Sequence, residues 1–369
     1  MRVSIFDAKP SVGLSLRFYT MVQIHSAELW RYTLPLREPL TVPQGTLSTR
    51  QGLILVLTDN AENQGFGEIA PLPGLHKETL EEVEPQIISA LQANTLQQQI
   101  FSPSVQCGIE MALHDLQTQH SASNRERFQP LNALISGTKD TIIARAIKAV
   151  QDGYTTLKIK VGRHSLTDDI ANICAIREAV GSNTALRLDA NRTWSLETAI
   201  EFGEQIAACA IQYIEEPCKH LADSAEFARR TGIRVALDET LYASNKAEFA
   251  ERLNFPDELL AAYILKPSAL GGIEHASNLA REANVRGADA IVSSVFESGV
   301  ALRFYVLLQQ AWNEGRTIPC GLDTFTFFDD DAVLPRFTAP QGKVRVGEQI
   351  SSSVQLNPNT TTRIFAHIF

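Results

Sequence analysis

Five charged residues, Lys160, Asp189, Glu215, Asp238 and Lys266, each close a short apolar run: LKIK, LRLD, YIE, VALD and YILK. They follow one another at intervals of 29, 26, 23 and 28 residues. Charge is unusual in parallel strands, which are normally buried on both faces. The intervals match one strand-plus-helix unit each time, since eight such units occupy roughly 250 residues in a closed barrel. Each charge therefore ends its own strand, and in a (β/α)8 barrel those C-terminal ends converge on one mouth, where active sites are built. An edge strand guarded by lysines accounts for the pair Lys158 and Lys160 in YTTLKIKVG, but not for five charges in phase.

The rest of the chain agrees with that layout. From about Leu131 eight strand candidates, NALISG, TTLKIKV, ALRLDAN, IQYIEEP, IRVALDE, AAYILKP, AIVSSV and IPCGLD, alternate with helical patterns, the signature of parallel strands with helical crossovers. The preceding segment differs. QGLILVLTD and GFGEIAPL read as antiparallel strands around the turn NAENQ, and HKETLEEVEPQIISALQ and SVQCGIEMALHDLQTQ read as helices. Between the first two strands lies LREPLTVPQGTLSTR (Leu36 to Arg50), expected to be a long polar loop acting as a lid or binding loop. The fold class is α/β: a (β/α) barrel over 121–334, with an α+β capping domain over 21–120 that includes part of the tail 335–369. Strand patterning begins after Met21, so Met21 is expected to be the physiological start, or residues 1–20 a loose N-terminal arm.

Composition narrows the function. A net charge of −9 with no basic block argues against nucleic-acid binding. No apolar run approaches the ~20 residues of a membrane span, and the N-terminus lacks the continuous apolar region of a signal peptide. Five scattered cysteines without C-x-x-C spacing read as reduced thiols of a cytoplasmic protein.

The charge order at the mouth is lysine, three carboxylates, lysine. Three converging carboxylates need a cation, and hard oxygen donors without His or Cys favour Mg²⁺, with Mn²⁺ as the alternative. The period of two puts Arg187 and Asn191 on the face of Asp189; it leaves open which of Glu215 and Glu216 points inward. Two lysines flanking a metal suit proton abstraction next to a small-molecule carboxylate bound to that metal, which stabilises the charge formed. A lysine works as that base only when its pKa falls well below ~10.4, and a neighbouring cation with partial burial pushes it that way.

K-x-K, D-x-N, E-E-P, D-E and K, each at a strand end, resemble the enolase superfamily in its muconate-lactonising branch, whose use of a Lys or His base with Mg²⁺ is a documented example. The resemblance covers essentially the whole chain after Met21 and implies a modified TIM barrel with a capping domain. Within the superfamily, GFGEIAPLPG, LKIKVG, LRLDANRTW, IEEPCK, ALDET, LKPSALGG and IPCGLDT are most similar to the o-succinylbenzoate synthase family of proteobacterial type. That implies a lyase of menaquinone biosynthesis dehydrating 2-succinyl-6-hydroxy-2,4-cyclohexadiene-1-carboxylate. Carried over, Lys160 would be base and acid on one face, and Lys266 would hold the developing charge. Asp189, Glu215 and Asp238 would ligate Mg²⁺; the family pattern selects Glu215 over Glu216. Lys158, Arg187 and Asn191 would surround base and metal, and Ser293, Ser294 and Gly321 would contact substrate.

Two rivals share the pattern. Dipeptide or N-acylamino-acid epimerases of this branch use the same lysines and metal, but dipeptide epimerases typically carry D-x-D after the eighth strand, where this chain reads Gly321-Leu322-Asp323. A catalytically dead, metal-binding barrel is the other; all five strand-end charges being present argues against it.

Overall fold

The computed structural model describes residues 22–118, 127–242, 246–313, 316–346 and 354–369. The expectation for residues 1–20 and Met21 lies outside them.

Among the described residues three antiparallel strands come first, β1 (Ile24–Val42), β2 (Gly45–Asp59) and β3 (Gln64–Ile69). The C-terminal strand Thr361–Ile368 adds to the free edge of β1, so a four-stranded sheet joins the first and last described strands. Helices α1 (Leu80–Gln92) and α2 (Pro103–Gln117) cover one face; Thr79 starts α1 with a capping box to Glu82, which satisfies otherwise orphaned N–H groups. Strand alternation explains the unbroken apolar run of β2. Leu53, Leu55 and Leu57 face the helices, with Val83, Ile87, Val105 and Ile109. Ile54 and Val56 face the other way, into a second core shared with the barrel. Contact between β3 and α2 is backbone to backbone: a Cβ on Gly67 would sit 1.9 Å from the Gly108 carbonyl oxygen, so only glycine fits.

The barrel strands follow as β4 (Ala133–Ile135), β5 (Thr156–Lys160), β6 (Ala185–Asp189), β7 (Ile211–Glu215), β8 (Val235–Leu237), β9 (Leu260–Leu265) and β10 (Asp289–Val292). They form one seven-stranded sheet whose spatial order is the sequence order, and a helix precedes each next strand. The eighth candidate, IPCGLD, is not a regular strand. It closes the ring by single bridges, Cys320 to Leu131 beside β4 and Gly321 to Ser293 beyond β10. The Asn132 N–H donates to Cys320 O at 2.9 Å, and the Gly321 N–H to Val292 O at 2.9 Å. Pro319 lacks the N–H that would extend the ladder.

Leu36 to Arg50 is also not an open loop. β1 and β2 run on as a hairpin ribbon, pairing Leu40 with Leu47, Thr41 with Thr46 and Val42 with Gly45, with a register break between Pro35 and Leu40. The prolines interrupt the ladder locally without ending it. The ribbon is fastened to the barrel by Arg37 Nε to Asp329 Oδ1 at 3.0 Å, Arg145 Nη2 to Glu38 Oε1 at 2.6 Å, and a bridge from Leu36 to Phe328.

Two carboxylates from the capping unit dock it by capping barrel helices. Glu68, fully buried on β3, accepts from the Tyr32 hydroxyl (2.6 Å), the Ser298 N–H (2.8 Å) and hydroxyl (2.7 Å), and the Ala301 N–H (3.1 Å) at the start of helix Gly299–Trp312. Glu110 of α2 accepts from the Ile273 and Glu274 N–H groups at 2.6 and 3.0 Å, starting helix Ile273–Val285. Anions at helix N-termini are favourable on both hydrogen-bond and dipole grounds.

Burial pushes Glu68 up from 4.5 to about 6. The native state thus keeps a proton in a window where the unfolded chain has released it. The stability contribution of this group is full below about pH 4.5 and is lost as pH rises through about 6. Glu68→Gln replaces an acceptor by a donor facing the Ser298 hydroxyl or the Ala301 N–H. Urea unfolding at pH 7 should show a loss of about 1–3 kcal/mol. The fall in stability across the titration, from below pH 4.5 to above 6, should also shrink, by on the order of 2 kcal/mol. Undiminished stability at pH 7 would contradict the docking role, and an unchanged profile would contradict the burial shift.

Candidate active site

Parallel register builds the site. Lys160 of β5 aligns with Asp189 of β6, and Asp189 with Glu215 of β7, so three charges form one row across adjacent strands. Glu215 aligns with Ala236; Asp238, two residues further, returns to the same face. Lys266 follows β9, four strands from β5, which in a ring of eight places it across the mouth from Lys160.

One carboxylate oxygen each from Asp189, Glu215 and Asp238 lies within 4.8 Å of the others, and all three residues are buried. Lysines surround them. Lys158 Nζ sits 2.9 Å from Asp189 Oδ2 and 2.5 Å from Glu215 Oε2. Lys160 Nζ donates to Asp189 Oδ2 at 2.6 Å and to Asn191 Oδ1 at 2.9 Å. Lys266 Nζ donates to both oxygens of Asp238, at 2.8 and 2.6 Å.

The electrostatics follow from that packing. Burial alone would lower Lys158 and Lys266, but the carboxylates win and hold both above the usual lysine range, Asp189 and Glu215 for the first, Asp238 and Glu239 for the second. Burial opposes ionisation of Asp189 too, yet Lys158 and Lys160 hold it well below the ordinary carboxylate range. Glu215 is pushed up by burial and by the charges of Asp189 and Asp238. Three buried hard-oxygen donors converging on one point fit a divalent cation of the Mg²⁺ class.

Alternation left Glu215 and Glu216 unresolved, and the geometry separates them. Glu216 takes a positive φ of 29° and turns away from the triad. Its Oε1 accepts from the Asp238 and Thr240 N–H groups, each at 2.8 Å, and its Oε2 pairs with Arg192. It thereby fixes the loop carrying Asp238. Arg187 shares the face of Asp189 but lies one strand repeat deeper. Its guanidinium donates to Gln212 Oε1 (2.8 Å), Pro319 O (2.7 Å) and Asn132 Oδ1 (3.3 Å), none of them in the carboxylate triad. Ser293, Ser294 and Gly321 come together where the ring closes: Ser294 donates backbone N–H and hydroxyl to Gly321 O at 2.9 and 3.1 Å.

Two side chains at the mouth carry no periodic signal. The Tyr242 hydroxyl donates to Asp238 Oδ1 at 2.9 Å, and Glu239 Oε1 accepts from Asn191 Nδ2 at 2.9 Å. Both lie on the 3-10 turn Glu239–Tyr242, where neither a period of two nor one of 3.6 applies. Only the adjacent carboxylates of D-E hinted at the second.

Comparison with known proteins gives a consistent result. Residues 141–359 match the model of the enolase C-terminal domain-like family, and residues 24–116 that of the MenC N-terminal domain. The chain is 32% identical to an o-succinylbenzoate synthase of Yersinia enterocolitica, covering 86% of this chain and 98% of that protein. It is 32% identical to one from Pasteurella multocida, over 85% and 94%. It is 30% identical to the chloroplastic protein PHYLLO of Arabidopsis thaliana over 90% of this chain, and spans only 23% of that longer protein. Among solved structures, the L-Ala-D/L-Glu epimerase of Bacillus subtilis superposes with a TM-score of 0.77 at 22% identity, over 90% of this chain and 99% of the epimerase. An N-succinyl Arg/Lys racemase of Bacillus cereus reaches 0.76 at 22% identity, over 94% and 100%. At those identities the structural likeness speaks for the fold. No helix of the described residues is long and apolar enough to cross a membrane.

A divalent cation that binds the triad stabilises the folded chain, by about 2.7 kcal/mol at a free concentration of 100 Kd. Thermal unfolding with and without added Mg²⁺ or Mn²⁺ should show the melting temperature rising for the wild type and hardly moving for Asp189→Asn. Equal shifts in both would remove Asp189 from the ligand set.

Proposed function

Because the chain belongs to the enolase superfamily and, within it, to the o-succinylbenzoate synthase family, we propose that it dehydrates 2-succinyl-6-hydroxy-2,4-cyclohexadiene-1-carboxylate to o-succinylbenzoate in menaquinone biosynthesis. The observation that carries the mechanism is the pair of lysines, Lys160 and Lys266, set across the mouth on either side of three buried carboxylates.

We assign Mg²⁺ to Asp189, Glu215 and Asp238; when bound, it supplies positive charge at the substrate carboxylate, where proton removal pushes electron density. Lys160 takes the proton from the carbon bearing that carboxylate. The electron pair of the broken C–H bond becomes the new ring double bond as the neighbouring C–O bond breaks, and Lys160 returns its proton to the departing hydroxide, so water leaves. One residue serves both steps because the two groups leave from one face. Lys266, paired with Asp238, faces the charge from the other side.

Lys158, below them, balances Asp189 and Glu215, and Asn191 orients the base. Arg187 supports the floor of the site through the ring-closing segment at Pro319. Ser293, Ser294 and Gly321 line the substrate side, and the ribbon from Leu36 to Arg50 excludes water when substrate is bound. In this division of labour the capping unit of 21–120 with part of 335–369 supplies the lid, and the barrel of 121–334 supplies the chemistry. We infer a cytoplasmic reaction from the scattered cysteines, which offer no disulfide framework.

The epimerase alternative needs an acidic hold for a substrate ammonium after the eighth strand. A Cβ at Gly321 would lie 2.8 Å from Ser293 Oγ, so a side chain there would need the serine hydroxyl to turn aside. Asp323 is already engaged, accepting from the Tyr154 hydroxyl at 2.6 Å and the Leu134 N–H at 2.9 Å. Both observations favour the dehydratase.

Product formation from freshly prepared cyclohexadiene carboxylate tests the proposal. Wild type should turn over with Mg²⁺ and stop with excess chelator. Lys160→Ala should lose at least about 100-fold in kcat, the scale of general acid–base catalysis. Turnover surviving in Lys160→Ala would dismiss the base assignment. An inactive wild type that instead exchanges the α-proton of dipeptides in D₂O would establish the epimerase.

A further inference from the structure

A neutral lysine amine has two N–H donors and one lone pair, and it acts as a base only through the lone pair. With Asp189 Oδ2 at 2.6 Å and Asn191 Oδ1 at 2.9 Å both accepting from Lys160 Nζ, the two donors are spoken for. The third tetrahedral direction is left for the lone pair. This holds only while Asn191 presents its oxygen. Turned over, its amide would aim an N–H at Lys160 and cover the lone pair.

The backbone of Asn191 is well held. It sits at φ 45°, in the left-handed region that asparagine tolerates better than most residues. Its N–H donates to Asp189 Oδ1 at 3.1 Å, and the next N–H, of Arg192, donates to Glu216 O at 2.9 Å. The orientation of the terminal amide is then decided by what faces its other end, and that is Glu239 Oε1, 2.9 Å from Nδ2. A carboxylate can only accept, so it rejects the turned-over amide. The other oxygen, Glu239 Oε2, is buried and makes no hydrogen bond among the described residues. Buried polar atoms are normally paired, so a carboxylate kept here with one oxygen unsatisfied points to a role for the oxygen that is used.

We propose that Glu239 is a positioning residue for Lys160, locking the Asn191 amide so that the lone pair of the base faces the substrate. The inference rests on the dehydratase reading and adds to it a residue that touches neither substrate nor metal.

Glu239→Gln is nearly isosteric and separates the lock from the mere hydrogen bond. Glutamine pairs with Asn191 as acceptor or as donor, and the turned-over amide then also donates to the Lys160 lone pair, so contact survives while the productive direction is disfavoured. In the dehydration assay, kcat should fall about tenfold and KM should stay within about twofold. The thermal shift on adding Mg²⁺ should be unchanged, which also reports that the variant is folded. Asn191→Leu should lose on the order of 100-fold in kcat, and adding Glu239→Gln to it should cost nothing more. Glu239→Leu, which removes the acceptor, should lose at least as much as Glu239→Gln. Wild-type kcat in Glu239→Gln would overturn the inference. So would a full tenfold loss on top of Asn191→Leu, because Glu239 would then act by its charge on Lys266. Wild-type turnover in the same assay decides the dehydratase reading separately, since only the ratios between variants bear on Glu239.

Discussion

Three carboxylates brought within 4.8 Å of one another and buried repel strongly, and most of what surrounds the barrel mouth answers that repulsion. Lys158, Lys160 and Lys266 meet Asp189, Glu215 and Asp238 one for one in charge, and Lys158 is shared between two of them. Truncating one member of such a set strands a buried partner, which is far more costly than the pair is stabilising. The same balance makes the site responsive. A divalent cation bound among the carboxylates would take over the work of the lysines and reverse the field acting on them, so metal binding and lysine protonation would be linked through shared contacts.

That cluster exists because parallel register is exact at the strand ends, and register is held from outside the barrel. The capping unit contributes no residue to the triad, yet Glu68 and Glu110 begin two successive barrel helices. Those helices follow β9 and β10, the strands leading into Lys266 and Ser293. The ribbon grows from the same sheet as Glu68 and lies fastened against Asp329 and Arg145. Fixing the sheet to the barrel therefore fixes the ribbon relative to the mouth.

The phase of the five charges was legible in the sequence because a buried parallel strand excludes charge everywhere except its end. Depth was not legible. Arg187 and Asp189 share a face by the period of two, yet a rise of roughly 6.6 Å over two residues carries Arg187 down to Gln212, Asn132 and Pro319. Alternation also fails where the chain turns: the positive φ at Glu216 takes it out of the strand pattern and into service under Asp238. Prolines at 39 and 43 made the ribbon read as a loop, although a ladder resumes at Leu40 once the register has slipped. Glu239 and Tyr242 sit on a single turn, too short for any period to mark which way they face.

The two lysines look alike in sequence and unlike in space, and the difference bears on the chemistry. Lys266 gives two of its three donors to the two oxygens of one carboxylate and lies 5.7 Å from the centre of the Tyr242 ring. Burial would lower it, but in the metal-free chain Asp238 and Glu239 hold it above the usual lysine range, and two bonds to one carboxylate suit a cation held in place. Lys160 instead divides its donors between Asp189 and the neutral amide of Asn191, and its side chain is the more exposed of the two, at 19% against 14%. An epimerase moves a proton on each face of one carbon and calls for two lysines of similar standing. A dehydratase that works on one face needs a single base and a fixed cation opposite it, and the proposed roles of Lys160 and Lys266 draw on that difference in their contacts.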